Sequence, residues 1–260
     1  IERVLDTFAN QKDPLREIVP QDEELEVVDE SEDWLVVNKP KGVVMHPGVG
    51  NMEGTLANYV VGYLGRKGEY DPYLKRGGVV HRLDKGVSGL VIFAKNRKAQ
   101  LWLKDQFEGR RVVKIYKAVT EVEIPHEVFQ SLPKEDPLEG AKGLDSALKE
   151  LGGHAGWYRV EGGIKRDPAN RMRMRFFARS DSGKSSISYI KPLGAREFLV
   201  WIKTGRMHQI RATLKYLGSP VAGDTLYTSV GTVADKISLE SVLLSLVVPN
   251  SDRKTWRLVG

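Results

Sequence analysis

The chain has 260 residues, 41% of them apolar, with a mean hydropathy of −0.34, which is enough apolar matter for one large or two small folded domains and argues against a membrane span. It has no cysteine, so disulfides and thiolate-bound metals are excluded, and a reducing intracellular setting, cytoplasmic or organellar, is expected. Its 40 basic against 34 acidic residues give a net charge of +6, a mild excess whose distribution says more than its size.

The chain begins at Ile1 and not at Met, and is read as a piece of a longer protein. Residues 1–33 are polar, contain Pro14 and Pro20 and carry acids from Asp22 to Asp33. They read as an arm or linker, with the arm proper at 1–24 and a single domain expected over 25–260. Residues 34–38 are a short apolar strand stopped by Lys39-Pro40-Lys41-Gly42, and 43–45 continue it beyond the turn. Leu56, Tyr59, Val60, Tyr63 and Leu64 recur at helical spacing, and Gly65 closes that helix.

Val79-Val80 enters a polar turn at 81–86, and residues 90–94 leave it as a strand. Asn96 can cap a helix with the apolar stripe Ala99, Trp102, Leu103 and Phe107, ended by Gly109. Residues 112–119 alternate as a strand, with Val113, Ile115 and Val119 on one face and Val112, Tyr116 and Ala118 on the other. Residues 125–163 read as an insertion with one helix at 144–151. Residues 187–190 and 197–203 read as strands, and 208–217 as a helix closed by Gly218 and Pro220. Residues 165–184 hold seven basic residues and two acids, a footprint that suits a polyanion or a plain solvated face. The irregular alternation predicts an α+β fold with a largely antiparallel sheet flanked by helices.

Three segments carry chemistry. In His81-Arg82-Leu83-Asp84-Lys85-Gly86, Asp84 sits in a turn between apolar strands with cations on either side. Neighbouring cations favour an ionised carboxylate, which can serve as nucleophile or base. The plainer alternative is a turn aspartate bonded to its own backbone. In Thr204-Gly205-Arg206-Met207-His208-Gln209-Ile210-Arg211, the helix carries His208, Arg211 and Lys215 opposite an apolar stripe. A cation in a first helical turn opposes the macrodipole, so Arg211 calls for an anion, either an RNA phosphate or a carboxylate such as Asp84. In Lys114-Ile115-Tyr116-Lys117, a tyrosine between lysines can stack on a base, or be an ordinary strand residue. The five histidines are scattered, with no metal-ligand spacing, and there is no P-loop, no GxGxxG and no GxSxG elbow.

Taken together, residues 36–48 (VVNKPKGVVMHPG), 81–96 (HRLDKGVSGLVIFAKN), 110–118 (RRVVKIYKA) and 204–227 (TGRMHQIRATLKYLGSPVAGDTLY) resemble the RluA family of RNA pseudouridine synthases in order and spacing. The resemblance covers about residues 25–120 and 160–250. It implies a pseudouridine-synthase-like fold and base-flipping isomerisation of uridine in rRNA, tRNA or mRNA by a monomer that needs no cofactor, metal or membrane. Asp84 is then the catalytic carboxylate, Tyr116 packs on the target base, and Arg211 pairs with the aspartate. Arg82 enters the space left by the flipped base. Lys39, His81, Arg206 and His208 join it as substrate-binding residues. The sequence departs from the family pattern at Val87 and Met207, and near the C terminus at Leu239-Glu240-Ser241 and Val248-Pro249. A non-catalytic RNA-binding protein on the same scaffold is the competing expectation. A carboxylate glycosidase acting on free nucleosides is a third, which the basic surface disfavours.

Overall fold

Two antiparallel strands, β1 (Val27–Glu30) and β2 (Trp34–Lys39), open the fold, because Ser31 Oγ accepts the N–H groups of Asp33 and Trp34 at 3.1 Å and closes the turn between them. The computed structural model describes residues 18–137, 145–179, 181–228, 237–249 and 253–258, so most of the 1–24 arm lies outside the described residues. The chain divides into two compact units, residues 1–85 with 89–109, and residues 86–88 with 110–260.

In the first unit β2 pairs with β3 (Ser88–Ala94), which is buried throughout and therefore reads as a continuous apolar run. Helix α1 (Leu56–Arg66) starts at Thr55, whose hydroxyl caps the N–H of Asn58 while the Asn58 side chain accepts from the Thr55 N–H. Leu56, Val60, Val61 and Leu64 bury one face of it. Helix α2 (Arg97–Glu108) is capped by the Asn96 side chain on the Ala99 N–H at 2.8 Å, as its sequence predicts. Between them a 3-10 turn (Lys75–Gly78) brings the chain against β3. A Cβ on Gly78 would stand 2.1 Å from the Ala94 carbonyl oxygen, and its φ of +83° is also one that L side chains rarely adopt. Two expectations are corrected here. Val27–Glu30 is a strand, although its acids made residues 1–33 read as an arm. Residues 43–45 do not extend β2, because Val44 makes an isolated parallel bridge to Thr55 at the start of α1.

The second unit is a sheet in the order β10–β9–β4–β8–β7–β5–β6, antiparallel at every junction. Its strands are β4 (Val113–Val119), β5 (Tyr158–Arg166), β6 (Met174–Phe177), β7 (Lys184–Pro192), β8 (Glu197–Ile202), β9 (Leu239–Val247) and β10 (Arg253–Arg257). Helices α3 (His126–Gln130), α4 (Asp145–Glu150) and α5 (Gln209–Tyr216) accompany it. Leu148, Trp157, Tyr189, Trp201, Ile115 and Leu243 form a core on one face. The 125–163 segment is not wholly an insertion, since its last six residues begin β5, an interior strand paired on both edges. Strands β5, β6, β9 and β10 escape the sequence reading for a physical reason. Glycines interrupt β5, and β9 is buried on nearly its whole length, so neither shows the two-residue alternation of a half-exposed strand.

Candidate active site

Asp84 lies half-buried in the first unit, in the turn that leads into β3. That turn is held from behind by Lys39, which is completely buried at the end of β2. Its ammonium donates to the carbonyls of Pro40 at 2.8 Å and Lys85 at 3.2 Å. The Gly42 N–H donates to the same Lys85 carbonyl at 2.9 Å, from a backbone with φ of +87° that glycine takes without strain. The Lys39-Pro40-Lys41-Gly42 turn is thus a clamp on the residue next to Asp84. Burial pushes the Lys39 ammonium down to about 8, and the Asp84 carboxylate opposes that shift.

His81 serves the scaffold here. Its Nε2 accepts the Ile92 N–H at 3.0 Å and its ring stacks on Phe107 with centroids 4.5 Å apart. That fastens the turn to β3 and α2, a use that its assignment to substrate binding overlooked. Arg82 is exposed.

Tyr116 is buried in the second unit, on β4, opposite Val200 of β8 and Ser241 of β9. The register to β9 shifts between Ile115 and Tyr116, with Val242 the extra residue on β9, while the pairing of β4 to β8 runs unbroken from Ile115 to Val119. Two residues before Tyr116, burial pushes the Lys114 ammonium down to about 8. It lies against the 204–206 turn, where a Cβ on Gly205 would stand 3.5 Å from Nζ.

The 204–211 segment is braced side chain by side chain. Gln209 Oε1 accepts from the Thr204 hydroxyl at 2.8 Å and the Arg206 N–H at 3.0 Å, while its amide donates to the Ile187 carbonyl and to Ser188 Oγ. Arg206 Nε donates to the Ser185 carbonyl at 2.8 Å. His208 has φ of +52°, so it caps α5 from outside and the helix begins one residue later than predicted.

Arg211 is buried, in keeping with a cation that calls for an anion, while Lys215 on the same helix is exposed. Asp224, itself fully buried, grips Arg211 from the side, with Nε to Oδ2 at 2.7 Å and Nη2 to Oδ1 at 2.8 Å. The sequence reading missed Asp224, and the one signal for it was the unexplained cation 13 residues before it. A guanidinium carries five N–H donors, so this grip leaves capacity for a second acceptor. Tyr227 ties the group together. Its ring lies under Arg211 at 5.0 Å and edge-on to His208 at 5.7 Å. Its hydroxyl meets His208 Nδ1 at 3.1 Å, accepts the Met174 N–H and donates to the Met174 carbonyl.

The structure therefore brings Lys39 to Asp84 in the first unit, and His208 to Arg211 through Tyr227 in the second. Among the described residues no group of three His, Asp or Glu side chains is arranged to hold a metal ion, and no helix is long and apolar enough to cross a membrane.

The RNA pseudouridylate synthase family model matches residues 33–216. Ribosomal large subunit pseudouridine synthase D of Xylella fastidiosa is 35% identical over 216 residues, which cover 80% of this chain and 53% of that protein. The protein of the same name from Neisseria meningitidis serogroup A is 33% identical over 213 residues, 80% of this chain and 47% of its own length. The chain thus spans about half the length of these curated relatives. Human RNA pseudouridylate synthase domain containing 1 shares the fold, with a TM-score of 0.63 at 22% identity over 92% of this chain and 84% of that one. With the family model spanning the Asp84 turn, the Tyr116 strand and the Arg211 helix, the chain belongs to the RNA pseudouridylate synthases, in the RluA family.

Proposed function

We propose that this chain isomerises uridine to pseudouridine within RNA, with Asp84 as its essential carboxylate. The observation that carries the reading is that one family match, residues 33–216, contains Asp84, Tyr116 and Arg211 together. The reaction balances internally and consumes no oxidant, reductant or group donor. The N1–C1′ bond breaks, the uracil turns, a C5–C1′ bond forms, C5 gives up its proton and N1 gains one. A stacked uridine hides these atoms, so the nucleotide is flipped out at a cost of a few kcal/mol. Arg82, exposed beside Asp84 in sequence, fills the vacated stack and offsets part of that cost. Asp84 acts on the ribose or the base as an anion, Tyr116 packs on the flipped uracil, and Arg211 stabilises the charge of the carboxylate. Large-subunit ribosomal RNA is the substrate to test first, because the two bacterial relatives are named for it.

The test is to map pseudouridine at single-nucleotide resolution in ribosomal RNA exposed to the purified chain or to Asp84→Asn. New pseudouridine at defined positions is expected with the first and none with the second. Identical maps from the two proteins would overturn the reading.

A further inference from the structure

The first unit holds a group of cations that the Asp84 turn does not use. Lys75 and Arg76 are exposed on the 3-10 turn, and Lys104 is half-buried on α2. They are neighbours by construction. Gln100, one helical turn before Lys104, donates its amide to the Lys75 carbonyl at 2.7 Å. Burial lowers the Lys104 pKa, and Lys75 and Arg76 lower it further against the opposing pull of Glu108.

Several other cations of this unit are neutralised. Lys95 and Lys67 pair with Glu30 and Glu69, and Arg97 stands 3.8 Å from Asp71. Among the described residues Lys75, Arg76 and Lys104 make no such ion pair. Arg76 also holds a left-handed backbone, φ 56° and ψ 33°, at a cost on the order of 1 kcal/mol or more. Glycine or asparagine takes that conformation with less strain, yet a cation stands there. Repulsion and partial burial at Lys104 and backbone strain at Arg76 thus meet at one spot, an arrangement that an anion would relieve.

Its place says which anion. Lys104 is three residues before Phe107, the ring on which His81 stacks, so the patch adjoins the Asp84 turn along α2. We propose that Lys75, Arg76 and Lys104 form a phosphate-binding face that holds the RNA backbone next to the target uridine. This rests on RNA being the substrate and names where the first unit grips it.

The probe is a fluorescent RNA stem-loop with uridines in its loop, titrated with the full chain between 50 and 200 mM salt. Each phosphate contact adds about 0.7–0.9 to the slope of log affinity against log salt. Lys75→Gln/Arg76→Asn/Lys104→Gln is therefore expected to flatten the slope by about 2–3, so that wild type loses roughly 20–40-fold more affinity than the variant over that range. Lys104→Arg, which keeps the charge, should keep the wild-type slope, a readout that merely structural damage would not reproduce. Equal slopes for wild type and the triple variant, with wild type converting uridine in the probe, would overturn the phosphate face alone. A flattened slope with no conversion by wild type would support the face and count against the proposed activity.

Discussion

At the residue scale, the buried ammonium of Lys39 has a direct consequence for stability against pH. An ammonium enclosed without solvent is held by two carbonyls, one of them on the residue after Asp84. In the unfolded chain a lysine keeps its proton to about 10.5, and here it lets go near 8. Between those values the unfolded state binds more protons, so Lys39 makes stability rise with pH across that window. Below about 8 the group is charged in both states, and its burial penalty is fully present. The advantage of Lys39→Met over wild type in thermal unfolding, or the smallness of its deficit, should hold steady from pH 6 to 7.5 and shrink from pH 8 to 10.5. A difference that stays constant across the upper window would mean that Lys39 is not a desolvated ammonium. Asp84 itself was legible from its neighbours only as an ionised turn residue. Lys39 read as the stop of a strand and, through the family resemblance, as a substrate-binding residue, because nothing local says that its side chain turns inward.

Helix α5 shows how an element depends on residues beyond its ends. Its first turn contains a buried arginine, which the helix macrodipole disfavours. Asp224, in the loop after the helix, supplies the missing charge in a two-bond grip. Removing one member of a buried pair typically costs about 3–5 kcal/mol, because the other charge is left desolvated. Asp224→Ala should destabilise the chain by about that amount in denaturant unfolding. Asp224→Ala combined with Arg211→Met should recover a large part of the loss, although it removes more groups. Simple addition of the two single losses would refute the pairing as the source of stability. The apolar stripe of α5 was readable at helical spacing. Its start was misplaced because His208 takes a left-handed backbone that spacing does not encode.

On the scale of the whole molecule, charge is distributed unit by unit. The second unit carries the basic run 165–184 on β5, β6 and the start of β7, where Lys165 and Arg175 face each other across the hairpin and both lie over Phe177. Arg166 is tied to the hairpin's own loop through the Arg171 carbonyl. Phosphate contacts position an RNA without reading its bases. Arg166→Gln/Arg171→Gln/Arg175→Gln should therefore weaken binding to unrelated RNAs by similar factors and leave the modified positions unchanged. A change in which uridines are modified would show that the hairpin reads sequence.

The α+β class, both helices of the first unit, the Asn96 cap, the Asp84 turn and the family were legible along the chain, because spacing, that cap and contiguous motifs are local; the Thr55 cap was not read. Which charges are paired is a matter of contacts between distant elements. Asp224 on Arg211, Lys39 on the Lys85 carbonyl, His81 on the Ile92 N–H and Tyr227 across His208, Arg211 and Met174 each join residues from separate elements. The strands β5 and β9 were settled the same way. β9, buried on nearly its whole length, carries no alternation, and glycines break the pattern of β5, so the neighbours that pair with them, and not their own patterns, establish that they are strands.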